Sequence, residues 1–562
     1  MRLLLITLLI PFVCVTQVPP SVWLEANSVR AHVTANGNLF MGGQQGGFLV
    51  PKASDDDPAR ATLFRGVFPW LGAQDPFGNL YTAVAHPAWG VSPFKGGLIK
   101  TPGYGNKIWK VTRADIEAHR ADFMDNGVVD NPISAIMEWP GSVNVGWDVD
   151  LNGVSIEAPV HVAPFKDLNA NGIYEPEKGE YPLHTYEYGL GFPFMPDEFV
   201  FLCYHDATVQ SIPSSLPLLI QTYCVLSAYN CPEEPALHNT IFAEYTFWQA
   251  MEYRLDDVYL GLLLDFEIGY SQDDCIGSIP DFALFGYNGD SYDDNIFLNN
   301  PPLVAMVDLA FPKDTFGEPT QQTFMPIYYG QTDGLPAIVT WPQGKIEIYR
   351  YLMGRFPDMT PLTASGRGYN PNLPLPPTRY AFPGNPFAAE GWSEPSAGNK
   401  PGNRRALVSY GPYTHKSGAM NNMFVAFHWA RGDSPSPLSG YVPLMEHALW
   451  LKDQYEHQDV LPPGTTPGCL VPTNVAAHPE AHPLEVYPNP ASSLVWVRAG
   501  DMMPDVVRVF DVAGRLALTS SLSANGDGVW AFSVAGLRGG LYVLEVTDRL
   551  GRRFRAKMLV TR

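Results

Sequence analysis

Two groups of oxygen-bearing side chains in this sequence are spaced for chemistry. In the first, Asp167, Asn169 and Asn171 alternate, Gly172 follows, and Ile173 offers a backbone carbonyl, with Glu175, Glu177 and Glu180 beyond. Oxygens at positions 1, 3 and 5, glycine at 6 and a carbonyl at 7 are what a hard cation needs when one tight loop wraps it. Position 12 is Lys178 where an EF-hand has glutamate, so the closing carboxylate has to come from Glu175, Glu177 or Glu180. Pro176 also prevents a long helix from leaving the loop. The metal set expected is Asp167, Asn169, Asn171, Ile173, Glu175 and Glu180 around a structural calcium. The alternative is an Asx-rich turn held by side-chain to backbone hydrogen bonds alone.

The second group is carried by 262–269, LLLDFEIG, which reads as a strand with Asp265 and Glu267 on one face, because alternate residues share a side. Two carboxylates so placed suit the acid and base of glycoside hydrolysis. They also suit a second cation, with Asp273 and Asp274, or a solvated strand end. These are weak catalytic candidates, and nucleophilic chemistry has weaker support still. There is no GxSxG elbow, no GxxxxGK[ST] phosphate loop and no HExxH.

The elements that must position these groups are mainly strands. Of 562 residues, 51 are glycine and 53 proline, too many chain breakers for long helices, while 70 aromatics are too many for a disordered chain. A mainly β, multidomain fold is expected, with a sandwich-type body, few short helices and, at roughly 150 residues per domain, about three or four domains. One helix is expected after Thr112, where Asp115 completes a capping box and Asn126-Gly127 ends it; Ile116, His119, Phe123 and Met124 form its apolar side. A second is expected at 444–457. His119 reads as a packed helix residue. Most tryptophans read as core, with a sugar-stacking platform as the alternative.

Residues 1–16 have one basic residue and then an apolar run too short to span a bilayer, which predicts a secretory signal peptide. No other run approaches transmembrane length. Export leaves Cys203, Cys224, Cys231, Cys275 and Cys469, an odd number in an oxidising compartment, with Cys224 and Cys231 close enough to bridge across a turn. The body is expected over 17–460, with two lobes meeting near 300 as one arrangement. A proline-rich linker over 461–483 and a separate all-β sandwich over 484–562 should follow. Net charge is −21. The last 79 residues carry +3 and the remainder −24, a balance that repels nucleic acid and anionic lipid.

The terminal stretch resembles a known family. YPNPASSLVWV at 487–497, VFDVAGRLAL at 509–518, GLRGGLYVLEV at 536–546 and RFRAKMLVTR at 553–562 are similar to the type A C-terminal sorting domain of the type IX secretion system of Bacteroidetes. The resemblance implies an immunoglobulin-like sandwich, periplasmic transit, recognition by the secretion machinery and delivery to the outer cell surface or medium. It assigns the signal to Pro488, Asn489, Pro490, Gly514, Gly540, Tyr542 and Lys557. The stretches 109–119, 137–142, 163–182, 256–274, 285–294 and 391–413 resemble large secreted cargo proteins of unassigned activity. The body is therefore expected to be a non-catalytic binding or structural module with loop-bound calcium, taking a glycan or other cell-surface ligand. A secreted glycoside hydrolase and a surface structural or gliding-associated component are the alternatives.

Overall fold

The structure, a computed structural model, describes residues 19–560 apart from 43–45, 53–60, 86–91, 100–105, 144–159, 187–189, 208–214, 294–295, 329–334, 373–374, 389–390, 435–436, 457–468, 470, 473–483, 489–490, 499–503, 512–515, 521, 525–528, 538–539 and 549–552. The expected signal peptide and most of the linker lie outside it. Strands take 41 % of the chain and helices 13 %, so the mainly β expectation holds.

The body is built on two antiparallel sheets. Their strands are β1 (Phe64–Gln74), β2 (Leu80–Val84), β3 (Lys95–Gly96), β4 (Ile108–Thr112), β5 (Glu198–His205), β6 (Ile220–Ala228), β7 (Thr240–Gln249), β8 (Leu255–Phe266), β9 (Asp274–Ile279), β10 (Ala283–Asn288), β11 (Leu303–Ala310), β12 (Gln322–Tyr328), β13 (Arg404–His415) and β14 (Met420–Ala430). The larger sheet runs β9-β10-β11-β14-β7-β6-β5-β3, with β4 also on β5; the smaller runs β12-β13-β8-β1-β2. Each sheet takes strands from both sides of residue 300, and one compact unit spans 1–191 with 196–448. The two-lobe arrangement is thereby corrected: long-range pairs such as β8 with β13 and β7 with β14 close the sheets across that point.

Aromatic side chains join the two sheets. Phe64 of β1 lies 5.3 Å from Phe266 of β8 and 5.9 Å, edge to face, from Phe427 of β14. Edge-to-face rings add to the area they bury. Every residue of β5 and β6 is buried, so their middles, FVFLCY at 199–204 and YCVL at 223–226, read as continuous apolar runs, with the buried polar residues toward the ends. Trp70, Trp109 and Trp139 belong to this buried set. The indole N–H of Trp139 donates to the Pro164 carbonyl at 2.9 Å.

Of the five α-helices in the described residues, the three of eight residues or more are α1 (Arg113–Asn126), α2 (Lys345–Leu352) and α3 (Pro437–Glu456). Thr112 and Asp115 form the capping box at α1, and Gly127 ends it in the left-handed conformation. Ile116 and His119 are buried, whereas Met124, expected on the apolar side, is exposed. Helix α3 begins seven residues before the expected start and carries Pro443 in its interior. Pro443 supplies no backbone donor there, yet the helix runs through it.

The second compact unit takes Leu449–Arg562 together with Phe192–Met195. Within it, Val471–Pro472 pairs with Phe194–Met195. The terminal strands are β15 (Glu485–Tyr487), β16 (Leu494–Arg498), β17 (Pro504–Asp511), β18 (Leu516–Ser520), β19 (Ser523–Ala524), β20 (Val529–Ser533), β21 (Gly540–Asp548) and β22 (Arg553–Val560). They form two four-stranded sheets, β15-β16-β20-β19 and β18-β17-β21-β22, which pair with no body strand. Val495, Val497, Val507, Val509, Leu544 and Val546 fill the core between them.

Candidate functional site

The 167–180 loop folds around the carboxylate of Asp167. Its Oδ2 accepts the Gly172 N–H at 2.7 Å, and Oδ1 accepts those of Asn169 at 3.2 Å and Asn171 at 3.3 Å. Asn169 Oδ1 accepts the Asn171 N–H, and Asn171 Oδ1 accepts that of Ile173. This chain of Asx turns needs positive φ at Ala170 and Gly172. Burial opposes ionisation of Asp167, yet the backbone N–H groups of Gly172, Ala170, Asn171 and Asn169 outweigh it and hold the carboxyl below its ordinary value.

Glu175 closes the loop from the other side. Its Oε2 accepts both amide groups, from Asn169 at 2.9 Å and Asn171 at 2.8 Å, while Lys178 pairs with Oε1. Lys178, Asn169 and Asn171 together pull its carboxyl down to about 2. Glu180 is buried and holds the loop's two ends, accepting the N–H of Leu168 at 3.1 Å and of Glu175 at 2.8 Å. Burial raises its carboxyl. Two further contacts brace the loop: Ser142 Oγ accepts the Tyr174 N–H at 2.6 Å, and His119 Nε2 lies 3.0 Å from the Glu180 carbonyl. The expected ligands are thus brought together, although among the described residues the carboxylates of Asp167, Glu175 and Glu180 do not come within 4.8 Å of one another as a set.

Asp265 and Glu267 sit at the end of β8, but in unlike surroundings. Asp265 is fully buried and Arg405 Nε of β13 lies 3.0 Å from it. Burial raises its carboxyl, against the pull of Arg405. Glu267 lies just past the strand, half-buried, and burial assisted by the Asp265 charge pushes it up to about 7 against Arg65. Asp274 is buried, with Oδ2 accepting the Ile268 N–H at 3.2 Å and Oδ1 without a partner. Asp273 is pushed up to about 6, first by burial. Asp293 is saturated by the N–H groups of Tyr270, Ile296 and Phe297. Sequence reasoning missed Arg405 as the partner of Asp265; antiparallel pairing of β8 with β13 sets them opposite each other, which no local pattern announces. It also missed Arg404, held by Glu394 in a buried bidentate pair.

The cysteine expectation is corrected. Cys224 is free and buried inside β6, as are Cys203 and Cys275 in β5 and β9, whereas Cys231 and Cys469 are disulfide-bonded. The Cys224 side chain is packed into the body's hydrophobic core.

In the terminal unit Tyr542 is buried in β21, opposite Asp511 of β17 and Met558 of β22. Gly540 opens β21, Lys557 lies in β22, and Pro488 follows a cis Tyr487-Pro488 bond. Asn489, Pro490 and Gly514 lie outside the described residues. The family model of the secretion system C-terminal sorting domain matches residues 485–561. The C-terminal module is a type IX secretion sorting domain. The chain is accordingly a secreted or cell-surface protein, and its sorting domain engages the type IX secretion machinery. No curated protein matches the chain. Among solved structures it aligns with a chain described as a polysaccharide lyase, over 60 % of its own length and 34 % of the other's, at 8 % identity and a TM-score of 0.18. It thus spans about a third of that protein's length. No described helix is long and apolar enough to cross a membrane.

Proposed function

We propose that the body carried outside by this sorting domain is a non-catalytic binding or structural module of the cell surface, with one calcium ion pinning the 167–180 loop. A cleavable signal peptide over 1–16 would start its export. The observation that carries the non-catalytic reading is the burial of Asp265 against Arg405. A carboxylate committed to a guanidinium inside a sheet cannot exchange protons with a sugar in solvent, so it cannot serve as half of an acid–base pair. Support for calcium is the alternation of Asp167, Asn169 and Asn171 on a loop whose backbone already follows the needed turn. Each carboxylate or amide oxygen has more than one lone pair, so those of Asp167, Asn169 and Asn171 keep acceptor capacity for a cation beside the backbone N–H groups they bind.

A cation bound only by the folded body raises its stability by mass action. Chelation should therefore lower the melting temperature of the purified protein by several degrees, on the order of the ~2.7 kcal/mol expected at a hundredfold excess over Kd. Asp167→Ala should abolish the difference between chelated and calcium-loaded protein. An identical melting curve with and without calcium in the wild type removes the ion from this reading.

The hydrolase reading keeps one observation in its favour, the half-buried Glu267 with its carboxyl near neutrality. Reducing-sugar release from a panel of plant and microbial polysaccharides, lost in Glu267→Gln, would decide for it.

A further inference from the structure

Two turns of the body are copies of one another. Asp75-Pro76-Phe77-Gly78-Asn79 joins β1 to β2, and Asp314-Thr315-Phe316-Gly317-Glu318 precedes β12. In each, the aspartate Oδ1 accepts the N–H two and four residues on: Phe77 at 2.9 Å and Asn79 at 2.8 Å, Phe316 at 2.8 Å and Glu318 at 3.0 Å. In each, the aspartate carbonyl accepts the glycine N–H, and the glycine takes positive φ. The phenylalanine stands at the tip. Phe77 is 81 % and Phe316 88 % exposed.

Strand register puts both tips at the same end of the body. Gln74 pairs with Asp256, Leu255 with His415, and Gln322 with Tyr410, so the end of β1 and the start of β12 flank the 250–254 and 416–419 connections. The strands β1 and β12 are three intervals apart, about 14 Å. Exposed Tyr253 belongs to the first of these connections, exposed Met420 opens β14 just after the second, and exposed Leu216 precedes β6, whose Ile220 pairs with Gln249. Tyr253 meets Phe77 edge-on at 6.3 Å, and Lys313 and Asn421 exchange backbone-to-amide hydrogen bonds that tie the Phe316 turn to the β13–β14 connection. Five apolar side chains, four on separate loops and one opening β14, therefore project from one end, where scattered exposure would be unremarkable but a cluster marks an interaction surface.

We propose that this end inserts its apolar tips into a neutral, zwitterionic lipid surface. Three features favour that occupant. The N–H groups of Phe77, Gly78, Asn79, Phe316, Gly317 and Glu318 are satisfied within the turns, so taking the tips out of water leaves none of these donors unpaired. The side chains stand on separate chain segments, and a fluid bilayer, unlike a protein or a sugar chain, needs no matching relief. The same loops carry Asp75, Glu252, Asp314 and Glu318, and the adjoining start of β8 adds Asp256 and Asp257, against Arg254, Lys313 and Lys416, an excess that repels an anionic surface and leaves a neutral one accessible.

The inference rests on the body being a binding module, and its test is separate from that of the reading beneath it: sugar release would defeat the latter, vesicle binding decides the former. The full chain is centrifuged with phosphatidylcholine vesicles, beside Phe77→Ser/Phe316→Ser. The wild type should sediment with the vesicles, the double variant should partition at least tenfold less at an unchanged melting temperature, and about 0.5 M salt, which screens charge within a few ångströms, should leave wild-type binding in place. Wild-type protein that stays in the supernatant, a double variant that sediments equally, or binding only to phosphatidylglycerol vesicles overturns the proposal. A dimer lost in the double variant without vesicle binding, or retention of the wild type alone by an immobilised polysaccharide, overturns it in favour of a second copy or a glycan.

Discussion

At the scale of single residues, the body holds carboxyl groups that prefer to keep their protons. Glu267 is pushed up to about 7 and Asp273 to about 6, both chiefly by burial. In the unfolded chain such groups titrate near 4. Between about pH 4 and 7 the folded body therefore binds more protons than the unfolded one, and stability falls as pH rises through that window. Glu267→Gln, which keeps the shape without the charge, should flatten the fall in melting temperature between pH 5 and 8; an unaltered slope would show that Glu267 is better solvated than its position implies. Which residues would matter was legible where the chemistry is local. The Asp167 loop is read from alternate oxygens and a glycine, and the structure brings those same side chains together. Asp265 was legible as a residue and illegible as a role, because its partner Arg405 lies 140 positions away and only strand pairing sets them opposite each other.

At the scale of elements, α1 and the loop support each other. The Phe123 ring rests on Gly179, whose φ is +86°, and an added Cβ there would lie 2.3 Å from the ring. Gly179→Ala meets both a left-handed backbone and an occupied space, so a loss of about 2–3 kcal/mol in chemical denaturation is expected. Thr112→Ala, which removes only the capping hydroxyl of α1, should cost about 1 kcal/mol. A larger loss from Thr112→Ala than from Gly179→Ala would mean that helix entry, not the helix–loop contact, sets local stability. The start and stop of α1 were legible because Thr112, Asp115 and Gly127 act within a few residues of their partners. The start of α3 was not, since its first turns, Pro437 to Pro443, hold two prolines, a serine and a glycine, residues of poor helix propensity.

At the scale of the whole molecule, the division of labour follows from which strands pair. All eight terminal strands find their partners among themselves, so the sorting domain can be removed without taking a strand from either body sheet. The cut must fall after Val471–Pro472, which pairs with Phe194–Met195; ending the chain at 483 preserves that pairing, whereas ending it near 449 leaves an edge strand unpaired. Cells producing the chain without 484–562 should retain it in the periplasm as a protease-resistant, folded body, while the intact chain reaches the surface or the medium. Fractionation with antibody to the body reads the outcome. Truncated protein outside the cell would show that the body carries an address of its own, and truncated protein degraded in the periplasm would show that the terminal sandwich also stabilises what precedes it.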